Sequence, residues 1–167
     1  TDHWSVYCTL SGLAVRIVPT VHPGRKDDSA VTDDEIRQAN LAVLQRYRSL
    51  LFAHRFDEWI ELWADDGICE FPFAAEGRPK RLEGKAEILA YMTRFPSRFS
   101  IEGVDRLEIH PCLDPNTVVA ELAIRGRASG TGKPYHQQYV VVAQLRDGKL
   151  AHYREYWNPV VSAEALA

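Results

Sequence analysis

The chain predicts an α+β domain in which helices come first and strands follow. Three observations carry this. Apolar residues recur at helical spacing over 36–51, directly behind a helix-start signature. The period changes to two after residue 68. Four strand-like stretches then close the chain, and helices grouped ahead of antiparallel strands are the mark of a sheet covered on one face. The predicted order is α-α-β-β-α-β-β-β-β, with the helices over a curved, mixed, mostly antiparallel sheet.

Thr32-Asp33-Asp34-Glu35 fits a capping box, in which the Thr hydroxyl accepts from the third amide and Glu35 reaches back. Ile36, Ala39, Val43, Leu44, Tyr47, Leu50 and Leu51 then mark one buried helix face. Phe56, Trp59, Ile60 and Trp63 repeat that spacing and predict a short second helix ending at Asp65-Asp66-Gly67. Ile68-Cys69-Glu70-Phe71-Pro72-Phe73 predicts a strand that Pro72 confines to an edge or bulge, with residues 78–83 as its partner. Gly84-Lys85 opens a third helix over 85–94, with Ala86, Leu89 and Met92 inward and Pro96 as its stop. Strands are predicted at 99–110, 116–128, 135–146 and 149–158. Asp147-Gly148 between the last two is the strongest hairpin signal in the chain.

The 167 residues suit one domain. Pro19, Pro23 and Gly24 lie in a predicted arm and linker at 1–31; the domain is placed at 32–160 and a tail at 161–167. Residues 10–18 are apolar, but the segment before them has an acid and no Lys or Arg, unlike a signal peptide. With reduced thiols expected of the three cysteines, a cytoplasmic location is the default expectation. A net charge of −3 gives no basic excess for nucleic acid, and no apolar run approaches the roughly 18 residues of a membrane span. Cys8, Cys69 and Cys112 are too widely spaced for a zinc site and odd in number, so reduced thiols are expected. His136 and His152 are expected outward on adjacent strands, without a third metal ligand.

Three segments carry a resemblance to a known family. They are Leu62-Trp63-Ala64-Asp65-Asp66-Gly67, Leu82-Glu83-Gly84-Lys85-Ala86-Glu87-Ile88, and Asp147-Gly148-Lys149-Leu150 followed by Tyr153-Arg154-Glu155-Tyr156-Trp157-Asn158-Pro159. With them, residues 32–160 resemble the nuclear transport factor 2-like superfamily, a cone-shaped α+β fold. The ending is similar to that of SnoaL-like polyketide cyclases and phenazine-biosynthesis A/B proteins. The resemblance implies a ligand site between the helices and the concave sheet face, and a homodimer through the outer face.

Strand parity places Tyr153, Glu155 and Trp157 on one face and His152, Arg154 and Tyr156 on the other. The resemblance makes the Trp157 face the concave one, joined by Tyr135, Gln137, Tyr139 and Val141. Glu155 is then a carboxyl between aromatic rings, where poor hydration raises its pKa toward the working range of a general acid or base. The phenazine A/B proteins carry a glutamate acting as acid at the matching place. Tyr47 matches a tyrosine of the steroid isomerases that donates to a developing enolate oxygen. Trp59, Trp63, Phe71, Phe73, Tyr153 and Trp157 are expected to form an apolar wall, with Tyr91, Gln137 and Tyr139 orienting polar groups. The steroid-isomerase base has no counterpart here, since its place holds Phe71, and the second oxyanion donor falls on about Val141. Asp65 and Asp66 read as turn residues before a glycine, not as a catalytic pair.

The expectation is a cofactor-independent isomerase or cyclase that moves a proton on a small, largely apolar ring metabolite, in secondary metabolism. No metal is called for, because proton transfer needs only a positioned acid or base and a dry site. The alternatives are a binding protein without chemistry, or a dehydratase or epoxide-opening relative.

Overall fold

The computed structural model describes residues 31–167 and a two-residue strand, β1 (Arg16–Ile17). The rest of the predicted arm lies outside the described residues. The elements after β1 are α1 (Asp33–Phe52), α2 (Phe56–Ile60), β2 (Trp63–Glu70), β3 (Arg81–Glu83), α3 (Gly84–Met92) and α4 (Phe95–Arg98). Then come β4 (Phe99–Pro111), β5 (Thr117–Ala128), β6 (Gln137–Arg146), β7 (Lys149–Trp157) and α5 (Pro159–Leu166). The predicted order is kept, with β1, α4 and α5 added.

The strands form one sheet in the order β1-β4-β5-β6-β7-β2-β3. β2 runs parallel to β7 and β1 parallel to β4; the other pairs are antiparallel. Register shifts in β4 near Ile101–Gly103 and Val104–Arg106 mark bulges, which bend a strand and increase its twist. Gly126 of β5 faces this stretch, and a Cβ there would lie 2.4 Å from the Ser100 carbonyl oxygen. Only glycine allows that approach.

The capping box forms as predicted. The Thr32 hydroxyl accepts from the Glu35 amide at 3.3 Å, and the Glu35 carboxylate accepts from the Thr32 amide at 2.8 Å. Asp147 and Gly148 have φ of 52° and 70°, the pair of positive values that a two-residue type I′ hairpin turn demands. This turn fixes how β6 lies against β7, with Val141 opposite Glu155 and Tyr139 opposite Trp157. On β6 Gln137, Tyr139, Val141, Ala143 and Leu145 are buried and the residues between them are mostly exposed.

Several expectations shift. The second helix stops at Ile60, and Trp63 opens β2 instead of closing a helix. Parallel pairing with β7, including the Leu150 amide on the Leu62 carbonyl at 2.8 Å, draws this segment into the sheet. The third helix turns Ile88 inward and leaves Ala86 exposed, because it packs on β2 along a face centred on Ile88. Pro96 lies in the first turn of the separate helix α4. The segment at 161–167 is mostly helix: the Asn158 side chain caps the Val160 amide at 3.0 Å, Pro159 occupies the first turn, and Ala165 is buried. His136 and His152 are not neighbours; His152 lies opposite Gln144, and its Nε2 meets Glu70 Oε2 at 2.7 Å.

Candidate active site

Between the helices and the inner sheet face lies a cavity of about 410 Å³. The alternation of β7 sends Tyr153, Glu155 and Trp157 into its wall, and β6 contributes Tyr139 and Val141. Phe71 follows β2 and packs edge-on against Trp157, with centroids 5.2 Å apart. Tyr91 of α3 sits 5.1 Å from Phe71. Tyr135 and Tyr139 share a hydroxyl–hydroxyl bond of 2.7 Å.

Glu155 is the sole carboxyl among the described residues lining this space. The Tyr153 hydroxyl donates to Glu155 Oε2 at 3.2 Å. Burial pushes the carboxyl up to about 7, and the Tyr153 bond, which favours the charged form, offsets only part of that. A group titrating there is poised both to take and to give a proton near neutral pH.

Tyr47 comes from the inner face of α1. Its ring is 5.3 Å from Tyr153 and 5.2 Å from Trp59. Burial first, and the charge of Glu155 second, hold its hydroxyl well above the usual phenol range. Tyr91 is raised by the same two causes in the same order. Both remain neutral phenols near pH 7 and can donate to an oxygen that gains charge.

Of the eleven residues that sequence reasoning assembled, Glu155, Tyr47, Phe71, Tyr91, Tyr139, Tyr153 and Trp157 meet at the cavity. Four stand elsewhere. Trp59 and Trp63 are 0% and 1% exposed and pack at tilted angles behind Tyr47 and Tyr153, forming a supporting layer. Phe73 is 60% exposed and packs on Tyr156, because the chain turns at Pro72, with the Ala74 amide on the Phe71 carbonyl, and the alternation ends. Gln137 is buried but spent on the backbone: its Nε2 donates to the Asn158 carbonyl at 2.8 Å and its Oε1 accepts from the Asn158 amide at 3.3 Å.

Asp65 and Asp66 are not turn residues as expected: both lie exposed within β2, in the irregular stretch between Trp63 and Ile68 where the register with β7 shifts, and they meet Lys85 and Arg146 on the surface, away from the cavity. Cavity residues that the sequence reading missed include Arg48, Arg78, Arg98 and, from α5, Ser162 and Leu166. Asn158-Pro159 carried the start signal of α5. The arginines had no signal, since Arg48 of α1, Arg98 of α4 and Arg78 of the loop before β3 meet only in space.

The model of the SnoaL-like domain matches residues 44–153. The chain belongs to the SnoaL-like family. This SnoaL-like chain is 38% identical over 124 residues to the uncharacterised protein YesE of Bacillus subtilis, covering 74% of the chain and 84% of the relative. It is 34% identical over 108 residues to an uncharacterised PhzA/B-like protein of Pseudomonas aeruginosa, covering 65% of the chain and 76% of the relative. A solved Bacillus subtilis structure, provisionally named an isomerase, superposes with a TM-score of 0.74 at 36% identity, covering 78% of this chain and 94% of that one. A phenazine biosynthesis-related protein from Pseudomonas aeruginosa superposes at 0.64 with 19% identity over 80% of this chain and 88% of that one, a likeness of fold. The domain match and these relatives carry the family assignment, and their names state no substrate.

Proposed function

We propose that this SnoaL-like chain is a cofactor-independent isomerase or cyclase acting on a small ring compound that carries a carbonyl. One observation carries the reading: a lone carboxyl among the described lining residues stands in an aromatic wall, where burial pushes it up to about 7, facing a cavity large enough for one or two rings. The Glu155 carboxylate takes a proton from a carbon next to the carbonyl, breaking that C–H bond and forming O–H on Glu155. The electron pair moves onto the carbonyl oxygen as an enolate. Tyr47 or Tyr91 donates a hydrogen bond to that oxygen, an interaction strongest once the charge has formed. Where a double bond is conjugated with the enolate, the protonated Glu155 returns its proton to the γ carbon and the double bond shifts. In a cyclisation the enolate carbon instead attacks a second carbonyl of the substrate, whose C=O π pair moves onto its oxygen, and Glu155 gives its proton to that alkoxide. Tyr153 positions the carboxyl through its hydroxyl.

The test is deuterium uptake. The protein is incubated in D₂O with a panel of cyclic ketones and enones, including 2-tetralone and cyclohexenone carboxylates, and exchange is followed by NMR. Wild type is expected to speed exchange, and Glu155→Gln to lose about 100-fold or more, the scale of a general base. Ligand binding should survive the substitution. Exchange no faster in wild type than in Glu155→Gln overturns the acid–base role and leaves a binding protein.

A further inference from the structure

The protein has net charge −3, yet three arginines line its cavity against the single carboxyl Glu155. Arg81, Arg125 and Arg127 each meet a carboxylate on the surface. Arg48 of α1, Arg78 of the segment leading into β3, and Arg98 of α4 meet none among the described residues. Nor is Glu155 their partner: its titration is set by burial and by Tyr153, with no arginine among the causes.

Arg98 is half-buried and held in place. Its guanidinium lies 5.6 Å from the centre of the Phe99 ring, which stacks on Tyr135 at 3.9 Å. Arg78 stands close enough for its charge to disfavour that of Arg98. Tyr91 feels Glu155 as well as Arg98 and Arg78, so the two arginines and the carboxyl address the cavity within reach of one phenol. Arg48 is also half-buried without a counter-ion. Arg78 is itself exposed, whereas Arg98 and Arg48 are partly desolvated. A partly desolvated guanidinium beside a like charge is unfavourable unless an anion completes it. A guanidinium fork fits a planar carboxylate through two parallel bonds. In a cavity of about 410 Å³ the compact carboxylate leaves room for a ring.

We propose that Arg78 and Arg98, aided by the positive field of Arg48, form a carboxylate subsite, so that the substrate is a ring-containing organic acid held by its carboxylate while its ring lies along the aromatic wall. The orientation of the reacting carbon toward Glu155 rests on the acid–base reading above; the subsite itself does not.

The test compares 2-naphthoate with 2-naphthamide, which share a ring and differ in charge, by titration calorimetry on the full chain at pH 8. Naphthoate is expected to bind at least about tenfold more tightly, the scale of one charge-assisted contact. The preference should weaken as salt is raised. It should collapse in Arg78→Met/Arg98→Met, where the methionines keep the apolar stems. Glu155→Gln should lose deuterium exchange yet keep or increase the preference for the acid, so the two readings fail separately. Equal binding of acid and amide by wild type, no binding of naphthoate, or an undiminished preference in the folded double variant overturns the proposal.

Discussion

Burial of Glu155 between Tyr153 and Trp157 raises its carboxyl from 4.5 to about 7, and that shift is also a statement about stability. Between those two values the folded chain holds the proton more tightly than the unfolded chain does. The folded state is therefore favoured by the neutral carboxyl below about 4.5, and loses that advantage as pH rises through about 7. At about 1.4 kcal/mol per unit, the loss is at most about 3–4 kcal/mol, less whatever solvent in the cavity returns. Glu155→Gln keeps an oxygen to accept from Tyr153 and cannot ionise. Urea unfolding is expected to find this variant more stable than wild type at pH 8.5, with the difference shrinking toward zero at pH 4.5. A difference that does not change with pH would mean the carboxyl is not elevated. Glu155 itself was legible in the sequence, because the Asp147-Gly148 turn and a two-residue period suffice to place it between two rings.

Elements are held to one another by a few polar pins, and here the sequence said less. Asn40 is a polar residue beside the buried Leu41 on α1 and is itself only 3% exposed. Its Nδ2 donates to the Pro115 carbonyl at 3.1 Å and to Asn116 Oδ1 at 3.3 Å, tying α1 to the β4–β5 turn. Asn40→Ala leaves those acceptors unpaired and is expected to cost about 1–3 kcal/mol, read as a lower urea midpoint. A midpoint within error of wild type would remove the pin. Periodicity identified the long helix and the four late strands because each buries one face over many residues. It failed where an element is short. Phe56, Trp59, Ile60 and Trp63 fit a helical face, but pairing with β7 overrides that spacing from Trp63 onward. Phe73 failed for the opposite reason, since strand alternation was extended past Glu70 into a turn.

Across the whole molecule the sheet and helices enclose a space instead of filling it, and no sequence pattern distinguishes those two outcomes. Aromatic residues at inward positions serve a packed core and a lined cavity equally well. Trp59 and Trp63 took the first role and Trp157 the second. If the space is the ligand's, filling it should remove binding without harming the fold. Ala120 lies on the interior strand β5, between Ile109 of β4 and Val141 of β6, and its side chain faces the cavity. Ala120→Phe puts a ring into that space. The new contacts bury apolar surface that wild type leaves facing a void, so the melting temperature should hold or rise. Affinity for 2-naphthoate should fall by about tenfold or more, because ring and ligand compete for the same volume. A packed core gives the reverse pattern: overpacking lowers the melting temperature, typically by about 1–3 kcal/mol of stability, while binding elsewhere on the molecule is untouched. Measuring melting and binding on the same variant therefore separates an open cavity from a filled one, whichever reaction Glu155 performs.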